Sequence, residues 1–227
     1  MPPLVSVVVP VLGDRVHASR LLRQVPVDPR VEVIVAEAGV EEGHEPGIEE
    51  LGPGRANGKL IHSAPGRARQ MNAGATLARG DWLLFLHADS ILPDDWLPAL
   101  VDTLTTSVVG GWFRFALDDD AWQARMIERG VALRVRLFRL PYGDQGLFLS
   151  RRAWDVLGGF RDMPLMDDVD FVRRLVRLGP VVEVPRAITT SARRWRRDGW
   201  LRRSARNVTL LGLYFLGVPA ARLARWY

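Results

Sequence analysis

Residues 80–90 read GDWLLFLHADS, an apolar run that is followed at once by histidine and aspartate. A continuous apolar run of this length predicts a strand that is buried on both faces, as strands of a parallel sheet are. We place this strand at residues 81–86. Ligands of such sheets bind beyond the carboxyl ends of the strands, so residues 87–89 are predicted to lie at a binding crevice.

The chain before this strand alternates between apolar runs and helical patterns. We predict strands at residues 4–9, 31–36 and 59–62, and helices at residues 17–25 and 66–80. Pro10 should end the first strand. Residues 39–57 are rich in glycine, glutamate and proline and lack periodicity, which predicts a loop. This order is typical of a doubly wound α/β sheet, in which residues 10–14, 37–39 and 87–89 should converge on one crevice.

The second half of the chain also alternates, with less regular spacing. We predict strands at residues 109–117, 145–149 and 180–184, and helices at residues 121–139, 151–157 and 168–178. No linker and no internal repeat separates the two halves. We therefore expect one α/β domain over residues 1–227, with a mixed, mostly parallel sheet that is flanked by helices.

Composition limits the location and the chemistry. The chain has 227 residues, 48% of them hydrophobic, and no cysteine, which excludes disulfides and zinc–thiolate sites. The N-terminus has no signal-peptide pattern and no apolar run approaches the ~20 residues of a membrane span, so we expect a cytoplasmic protein. The net charge is +5, and nearly all of the positively charged residues are arginines. Arginine makes nucleic acid a formal partner, but a general arginine bias explains the charge as well, and we expect no nucleic acid.

Asp89 is the first candidate for chemistry because it follows the 81–86 strand. A carboxylate there needs a divalent cation between itself and a bound diphosphate. Mg²⁺ or Mn²⁺ suits this role, since these ions commonly share one or two carboxylates with substrate phosphates. His87 would assist or only shape the turn. The alternative is that Asp89 caps the next helix.

The segment 66–72, GRARQMN, carries groups that suit phosphate. Gly66 precedes a helix whose N-terminus favours an anion, and the guanidinium groups of Arg67 and Arg69 add donors. The alternative is an ordinary surface helix with two solvated arginines.

Two acidic segments in the second half could bind or deprotonate a hydroxyl. Residues 167–170 read DDVD; Asp168 could act as a general base, and its acidic neighbours are expected to raise its proton affinity. These acids could equally cap a helix. The turn at 142–146, YGDQG, could hold acceptor or donor hydroxyls or could simply precede a strand.

Together these segments resemble the inverting family 2 glycosyltransferases. The matching segments are VSVVVPVLGD at 5–14, VEVIVAEAG at 31–39, GRARQMNAGA at 66–75, GDWLLFLHADS at 80–90, GDQGLFLSRRAWDVLGGF at 143–160 and MDDVDF at 166–171. The motifs PGRARQMNAGA, FLHADS, PYGDQG and PLMDDVDF look like a bacterial subgroup labelled as radical-SAM/selenodomain-associated or arsenosugar-biosynthesis glycosyltransferases. The resemblance covers about residues 4–200 and implies the GT-A fold.

The resemblance also implies roles for particular positions. Pro10 and the turn after it would line the nucleotide site, and Glu37 stands where the family usually has an aspartate that contacts the base or ribose. Asp89 matches the last acid of the metal-binding Asp-x-Asp motif, and Asp168 matches the catalytic base. His87 replaces the first acid of that motif, and AEAGVEEG replaces the usual DGGSxDG, which leaves the nucleotide open.

We therefore expect residues 1–90 to bind a nucleotide diphosphate sugar, residues 91–190 to bind a small-molecule or lipid acceptor, and residues 191–227 to form a tail. The expected site residues are Pro10, Glu37, Gly66, Arg67, Arg69, Asn72 and His87 for the donor, Asp144, Gln145, Gly146 and Asp167 for the acceptor, Asp89 for Mg²⁺ or Mn²⁺, and Asp168 for catalysis.

Two other functions remain open. A sugar-nucleotide nucleotidyltransferase has a similar fold but needs a glycine-rich phosphate loop after the first strand, where this chain reads PVLGDRV with one glycine. A non-catalytic membrane or nucleic-acid module would use the basic second half of the chain. The presence of both Asp89 and Asp168 argues against that module.

The tail at 200–227 combines arginines with a nearly apolar stretch at 208–218 that is too short to span a bilayer. Such a segment suits peripheral contact with the inner face of the cell membrane, with arginines on anionic headgroups and aromatic rings at the acyl boundary. The alternatives are that it packs on the domain or forms a homodimer interface.

Overall fold

The computed structural model describes residues 4–13, 15–39 and 58–227, so all but the first residue of the predicted loop at 39–57 lies outside the described residues. The strands are β1 (Val5–Leu12), β2 (Val31–Ala38), β3 (Gly58–His62), β4 (Trp82–Phe85), β5 (Gly110–Leu117), β6 (Leu147–Ser150) and β7 (Val181–Thr190). The helices are α1 (Arg15–Gln24), α2 (Arg67–Leu77), α3 (Trp96–Val101), α4 (Trp122–Phe138), α5 (Arg151–Leu157), α6 (Asp167–Leu178), α7 (Arg193–Asp198), α8 (Trp200–Phe215) and α9 (Ala220–Leu223). Short 3-10 turns lie at Gly143–Gln145 and Ala224–Trp226.

The seven strands form one sheet in the order β3-β2-β1-β4-β6-β5-β7. β6 is antiparallel to both of its neighbours, β4 and β5, and the other neighbouring strands are parallel. The predicted mixed, mostly parallel sheet with flanking helices is therefore confirmed. The carboxyl ends of β1, β2 and β4 lie at one edge, and because β6 runs the other way, the turn before β6 reaches the same edge.

β1 runs through Pro10 to Leu12, so the prediction that Pro10 ends this strand is wrong. Pro10 pairs in register with Ala36 of β2, whereas β4 pairs only with residues 5–8 of β1. At Pro10 the β4 side of the strand is therefore an edge, where the missing N–H of proline is tolerated.

β7 likewise extends past a proline and ends at Thr190, beyond its predicted end at residue 184. Its pairing with β5 shifts register between Phe113 and Arg114, which leaves Pro185 in the irregular part of the ladder. A bulge of this kind lets a strand continue around a residue that cannot donate a ladder hydrogen bond. Helices α3, α7, α8 and α9 were not predicted.

Alternate residues of the central strands face two hydrophobic clusters, one on each side of the sheet. Val8 and Phe85 pack with buried residues of α2, α5 and α6, whereas Val7 and Leu84 pack with buried residues of α1 and α3. A slip of one residue would exchange these two faces, so the packing fixes the register of the strands. The register in turn fixes which residues emerge at the carboxyl edge.

The C-terminal tail packs on the domain. Leu210 of α8 and Leu223 of α9 are buried, and Leu213 is half-buried against the same cluster as Val8 and Phe85. Within the part of the chain that the structure describes, no helix is long and apolar enough to cross a membrane. Several large apolar side chains of the tail, including Leu201 and Val208, are nevertheless exposed.

We expect Gly111→Ala to lower the free energy of unfolding by about 1–3 kcal/mol, the usual cost of an overpacked core. A Cβ at Gly111 would lie 1.9 Å from the carbonyl oxygen of Val182 and 2.7 Å from the ring of Phe148, so β5 could not keep its place between β6 and β7. Urea denaturation measures the change. Gly130→Ala in α4 is the matched control, because a Cβ there meets no atom within 4 Å. It should stabilise the protein by about 0.5–1 kcal/mol, and an equal loss in both variants would contradict the packing argument.

Candidate functional site

A cavity of about 1020 Å³ opens at the carboxyl edge of β4. Its wall includes five of the predicted site residues, which come from four separate segments of the chain. They are Arg67, His87, Asp89, Asp144 and Asp168. The predicted metal-binding and catalytic residues therefore meet at one cavity, together with two of the predicted donor residues and one of the predicted acceptor residues.

Asp89 lies in the turn that follows β4. The N–H of Ser90 donates to the carbonyl of His87 at 3.0 Å and closes this turn. The N-terminal cap position of α3 is occupied by Asp95, so Asp89 is not a helix cap. Its carboxylate lies on the cavity wall.

Asp168 stands in the first turn of α6 and is held from two sides. Its carboxylate accepts a hydrogen bond from the N–H of Gly143 at 2.9 Å and one from its neighbour Val169 at 2.8 Å. The Arg67 guanidinium lies 3.5 Å away. Burial by itself would raise the pKa of the Asp168 carboxyl, but Arg67 and these two N–H donors hold that pKa below its usual value. The expectation that acidic neighbours raise its proton affinity is therefore wrong, and the carboxylate is ionised at neutral pH.

Asp167 points to a different partner. Its buried carboxylate accepts two hydrogen bonds from the Arg67 guanidinium, one of them from Nε at 3.0 Å. Burial raises the pKa of Asp167, and the attraction of Arg67 partly offsets that rise. Asp167 is not part of the cavity wall. It positions Arg67, which in turn faces Asp168.

The turn at Gly143–Gln145 places Asp144 on the cavity wall. Burial raises the pKa of Asp144 to about 6, although Arg134 opposes the rise. Gln145 is buried, and its side chain bonds to the backbone, since its amide donates to the carbonyl of Phe113 at 3.2 Å. Gly146 has φ +62°, and a Cβ there would lie 2.3 Å from the Ile188 side chain. Gln145 and Gly146 thus shape the turn, and Asp144 is the member that meets the cavity.

His87 is half-buried, and its buried Nε2 has no hydrogen-bond partner among the described residues. Burial, and then the charge of Arg67, lower its pKa to about 4, so the imidazole is neutral. A Cβ placed on Gly143 would lie 3.1 Å from this Nε2 and 3.4 Å from Oδ2 of Asp168, so both atoms face the same small space. A neutral imidazole nitrogen without a partner is available as a ligand.

These groups fit a divalent cation that is shared with a substrate. The described residues contain no group of three or more His, Asp or Glu that could hold a metal ion. Mg²⁺ and Mn²⁺ are commonly bound through one or two carboxylates plus substrate phosphates. Asp89 and the free nitrogen of His87 lie on the same cavity wall and match that incomplete ligand set.

The other predicted donor residues lie away from this cavity. Glu37 is buried at the end of β2, and Arg15 donates to its carboxylate at 2.6 and 2.7 Å. Pro10 on β1 pairs with Ala36, the residue before Glu37, and Gly66 is the N-terminal cap residue of α2, with φ +132°. Pro10 and Glu37 therefore lie on the neighbouring strands β1 and β2, at the carboxyl edge of the sheet.

Arg69 and Asn72 tie α2 to the segment that follows α5. Arg69 donates to Asp162 at 2.8 Å in an exposed ion pair. The Asn72 amide bonds the backbone of Phe160 in both directions, at 2.8 and 2.9 Å. These contacts give both residues a structural part in joining the two halves of the domain.

Sequence reasoning missed several titratable residues on the cavity wall, among them Arg134, Tyr142 and Arg194. The guanidinium of Arg134 stacks 3.5 Å above the ring of Tyr142, and the charge of Arg194 contributes to the lowered pKa of His87. Arg194 lies in the arginine-rich segment at 191–206, in which nothing in the sequence sets one arginine apart from the next.

Comparison with known proteins gives one family and several related folds. Residues 6–161 match the family model described as glycosyl transferase family 2. Among curated proteins, no sequence matches significantly.

Two of the similar solved structures are a mannosyltransferase, PcManGT from Pyrobaculum calidifontis in complex with GDP-Man and Mn²⁺, and TarS residues 1–349 from S. aureus. The first has 19% identity and a TM-score of 0.61, and the match covers 92% of this chain and 65% of that chain. The second has 13% identity and a TM-score of 0.63, with 83% and 60% covered. TarS in complex with UDP-GlcNAc is similar at 14% identity and a TM-score of 0.61, with 83% and 58% covered. This chain thus spans less than two thirds of each of these structures, and the likeness confirms the GT-A fold.

We expect Arg67→Ala to lower the free energy of unfolding by about 3 kcal/mol, because it leaves the buried Asp167 carboxylate without its partner. The side chain of Asp167 is only 3% exposed. Arg69→Ala on the same helix is the matched control, since the Arg69–Asp162 pair is 52% and 58% exposed and should contribute less than about 1 kcal/mol. Chemical denaturation compares the two variants, and equal losses would show that the Arg67 pair is not the stronger constraint.

Proposed function

This chain belongs to glycosyl transferase family 2, and we propose that it transfers a sugar from a nucleotide diphosphate donor to an acceptor hydroxyl with inversion at the anomeric carbon. The observation that carries the proposal is the meeting of Asp89, His87 and Asp168 on one cavity wall. A cation-binding carboxylate and an ionised carboxylate base are the two groups that such a transfer needs from the protein.

The donor would occupy the carboxyl edge of β1 and β2 and reach β4 with its diphosphate. Pro10 and Glu37 would line the nucleotide part of this path, and Gly66 and Arg67 stand where α2 begins near the diphosphate. The structures similar to this chain include complexes with GDP-Man and with UDP-GlcNAc, which supports a nucleotide diphosphate sugar in general. Because Arg15 neutralises Glu37, base and ribose selection would involve the pair together rather than a free acid.

Asp89 and His87 would hold Mg²⁺ or Mn²⁺ together with phosphate oxygens of the donor. When bound, the cation would supply positive charge that offsets the negative charge of a departing diphosphate. Arg67 and Arg194 lie on the same wall and add positive charge there. The position of the Arg67 guanidinium is fixed, because it donates hydrogen bonds to the carboxylate of Asp167.

Asp168 would accept the proton of the acceptor hydroxyl. The acceptor oxygen forms a bond to the anomeric carbon while the bond from that carbon to the diphosphate oxygen breaks. The diphosphate leaves with the electron pair of that bond. The lowered pKa of Asp168 keeps its carboxylate ionised and ready to take the proton. Asp144, on the same wall, would bind a neighbouring hydroxyl of the acceptor or of the sugar.

We assign the chain to the radical-SAM/selenodomain-associated or arsenosugar-biosynthesis subgroup on its motifs PGRARQMNAGA and PLMDDVDF. Residues 1–90 would serve the donor and residues 91–190 the acceptor within a single domain. The exposed apolar side chains of the tail support a peripheral position at the inner face of the cell membrane, or a contact between two copies of the chain.

We expect Asp89→Ala to abolish turnover of the nucleotide sugar and to remove the stabilisation that a nucleoside diphosphate gives in the presence of Mn²⁺. In the unmodified protein, a ligand at 100 times its dissociation constant adds roughly 2.7 kcal/mol of stability. Thermal unfolding with GDP or UDP, with and without Mn²⁺, measures the effect. Asp95→Ala at the start of α3 is the control and should keep the metal-dependent shift. A full shift in the Asp89 variant would remove this residue from the site.

We expect Asp168→Asn to slow sugar transfer by about 10²–10⁴-fold while donor binding stays nearly unchanged, because the amide cannot accept the proton. Steady-state kinetics and donor titration measure the two quantities. Asp167→Asn is the matched control, because it removes the adjacent charge. It should reduce stability through Arg67 and affect the transfer rate of the folded protein much less. An inactive Asp167 variant beside an active Asp168 variant would reverse the assignment of the base.

A further inference from the structure

The cavity that holds Asp89 and Asp168 continues far beyond these carboxylates. Its volume of about 1020 Å³ lies at the upper end of the ~300–1,000 Å³ of small-molecule pockets. Among the predicted donor residues, its wall includes Arg67 and His87 but not Pro10 or Glu37. The cavity therefore extends away from the nucleotide side and into the space between α4 and α8.

One face of α4 forms the first wall. Ile127, Val131 and Phe138 line the cavity at helical spacing, and Gln123 and Arg134 are the polar residues of this face. Some of the apolar side chains are open to solvent, with Leu137 62% exposed and Phe138 71% exposed. A helix face of this kind is normally covered in a soluble protein.

One face of α8 forms the opposite wall. Leu201, Val208, Leu211 and Phe215 line the cavity, and Val208 is 68% exposed. Ser204, Asn207 and Arg203 are the polar residues that α8 adds. The two helices thus turn apolar faces toward a shared space that their own side chains do not fill.

Each helix also has a glycine on this wall, Gly130 in α4 and Gly212 in α8. A Cβ at either position would meet no atom within 4 Å, so no close packing requires a glycine there. A glycine inside a helix costs about 1 kcal/mol relative to alanine. The two glycines therefore widen the cavity, although each lowers the stability of its helix. A wider cavity is what an elongated ligand would require.

We propose that the acceptor is a lipid alcohol whose long apolar chain lies between α4 and α8, with its terminal hydroxyl at Asp168. The inference rests on the proposed sugar transfer, in which that hydroxyl attacks the anomeric carbon and gives its proton to Asp168. The carboxylates and the apolar walls belong to one continuous space. An acceptor that presents a hydroxyl to Asp168 therefore has its remaining atoms in this space, where apolar groups gain most from burial.

The first experiment measures binding without any donor. The neutral fluorophore N-phenyl-1-naphthylamine, whose emission rises in apolar surroundings, is titrated into the protein and then displaced by linear primary alcohols of increasing chain length. We expect the affinity to rise by about three- to fourfold for each added methylene, which corresponds to about 0.8 kcal/mol for each buried CH₂. Affinity that does not depend on chain length would overturn the proposal.

The second experiment fills the cavity. Gly130→Leu and Gly212→Leu each place a side chain in the open space, and each should weaken binding of the long-chain alcohols at least tenfold. Ala132→Leu and Thr209→Leu are the matched controls, because these exposed residues of α4 and α8 are not on the cavity wall. The controls should bind as the unmodified protein does. Thermal unfolding confirms that each variant is folded, and either glycine variant suffices if the other fails to fold.

The remaining outcomes separate this inference from the proposed function. Transfer of sugar to long-chain alcohols in preference to short ones, and its loss in the glycine variants, would support both. If binding depends on chain length but no nucleotide sugar supports transfer, the proposed function is overturned. The inference that the cavity binds a long apolar ligand would still hold. Transfer that favours short, polar acceptors equally in all variants would overturn the lipid acceptor alone. Light scattering tests whether a second copy of the chain covers the two faces. If the protein has twice the mass of one chain and Gly130→Leu abolishes this doubling, the faces form a dimer interface and the proposal of a lipid acceptor is overturned.

Discussion

The contact between Arg67 and the acids at the start of α6 connects residues that are one hundred positions apart in the sequence. Arg67 begins α2 in the first half of the chain, and Asp167 and Asp168 begin α6 in the second half. Because Asp167 takes the hydrogen bonds of the guanidinium, Asp168 is left with a nearby positive charge and a free face toward the cavity. The position and the ionisation of the proposed base both depend on this arrangement.

The strands and most helices could be predicted from apolar runs and helical spacing. A strand that is buried on both faces of the sheet has a continuous run of apolar residues, which is visible in the sequence. The errors lie at Pro10 and Pro185, where pairing on one side only or a bulge removes the usual penalty of proline. Neither condition can be read from neighbours in sequence. Helix α3 was missed for a related reason, since its short apolar segment carries Pro98 and no clear period.

The candidate site was predictable where a motif joins a strand end, as at Asp89, and where an acidic pair opens a helix, as at Asp168. The different roles of Asp167 and Asp168 could not be predicted, because they depend on the guanidinium of Arg67, which lies on a helix that is distant in sequence. Arg194 and the wall between α4 and α8 were missed as well. An amphipathic helix shows in sequence that it has an apolar face, but not whether another element covers that face.

The reversed direction of β6 has a consequence for how this sheet can change during evolution. A parallel strand presents the residues that follow it at the substrate edge, as β4 presents Asp89, whereas β6 presents the residues that precede it, such as Asp144. The connections on the opposite edge carry structural contacts, for instance from Arg151 to the carbonyls of Ala75 and Ala78. The two edges therefore evolve under different constraints. A change of loop length at the edge of Arg151 is therefore expected to leave the cavity wall in place, whereas an insertion before β6 would move Asp144 on that wall.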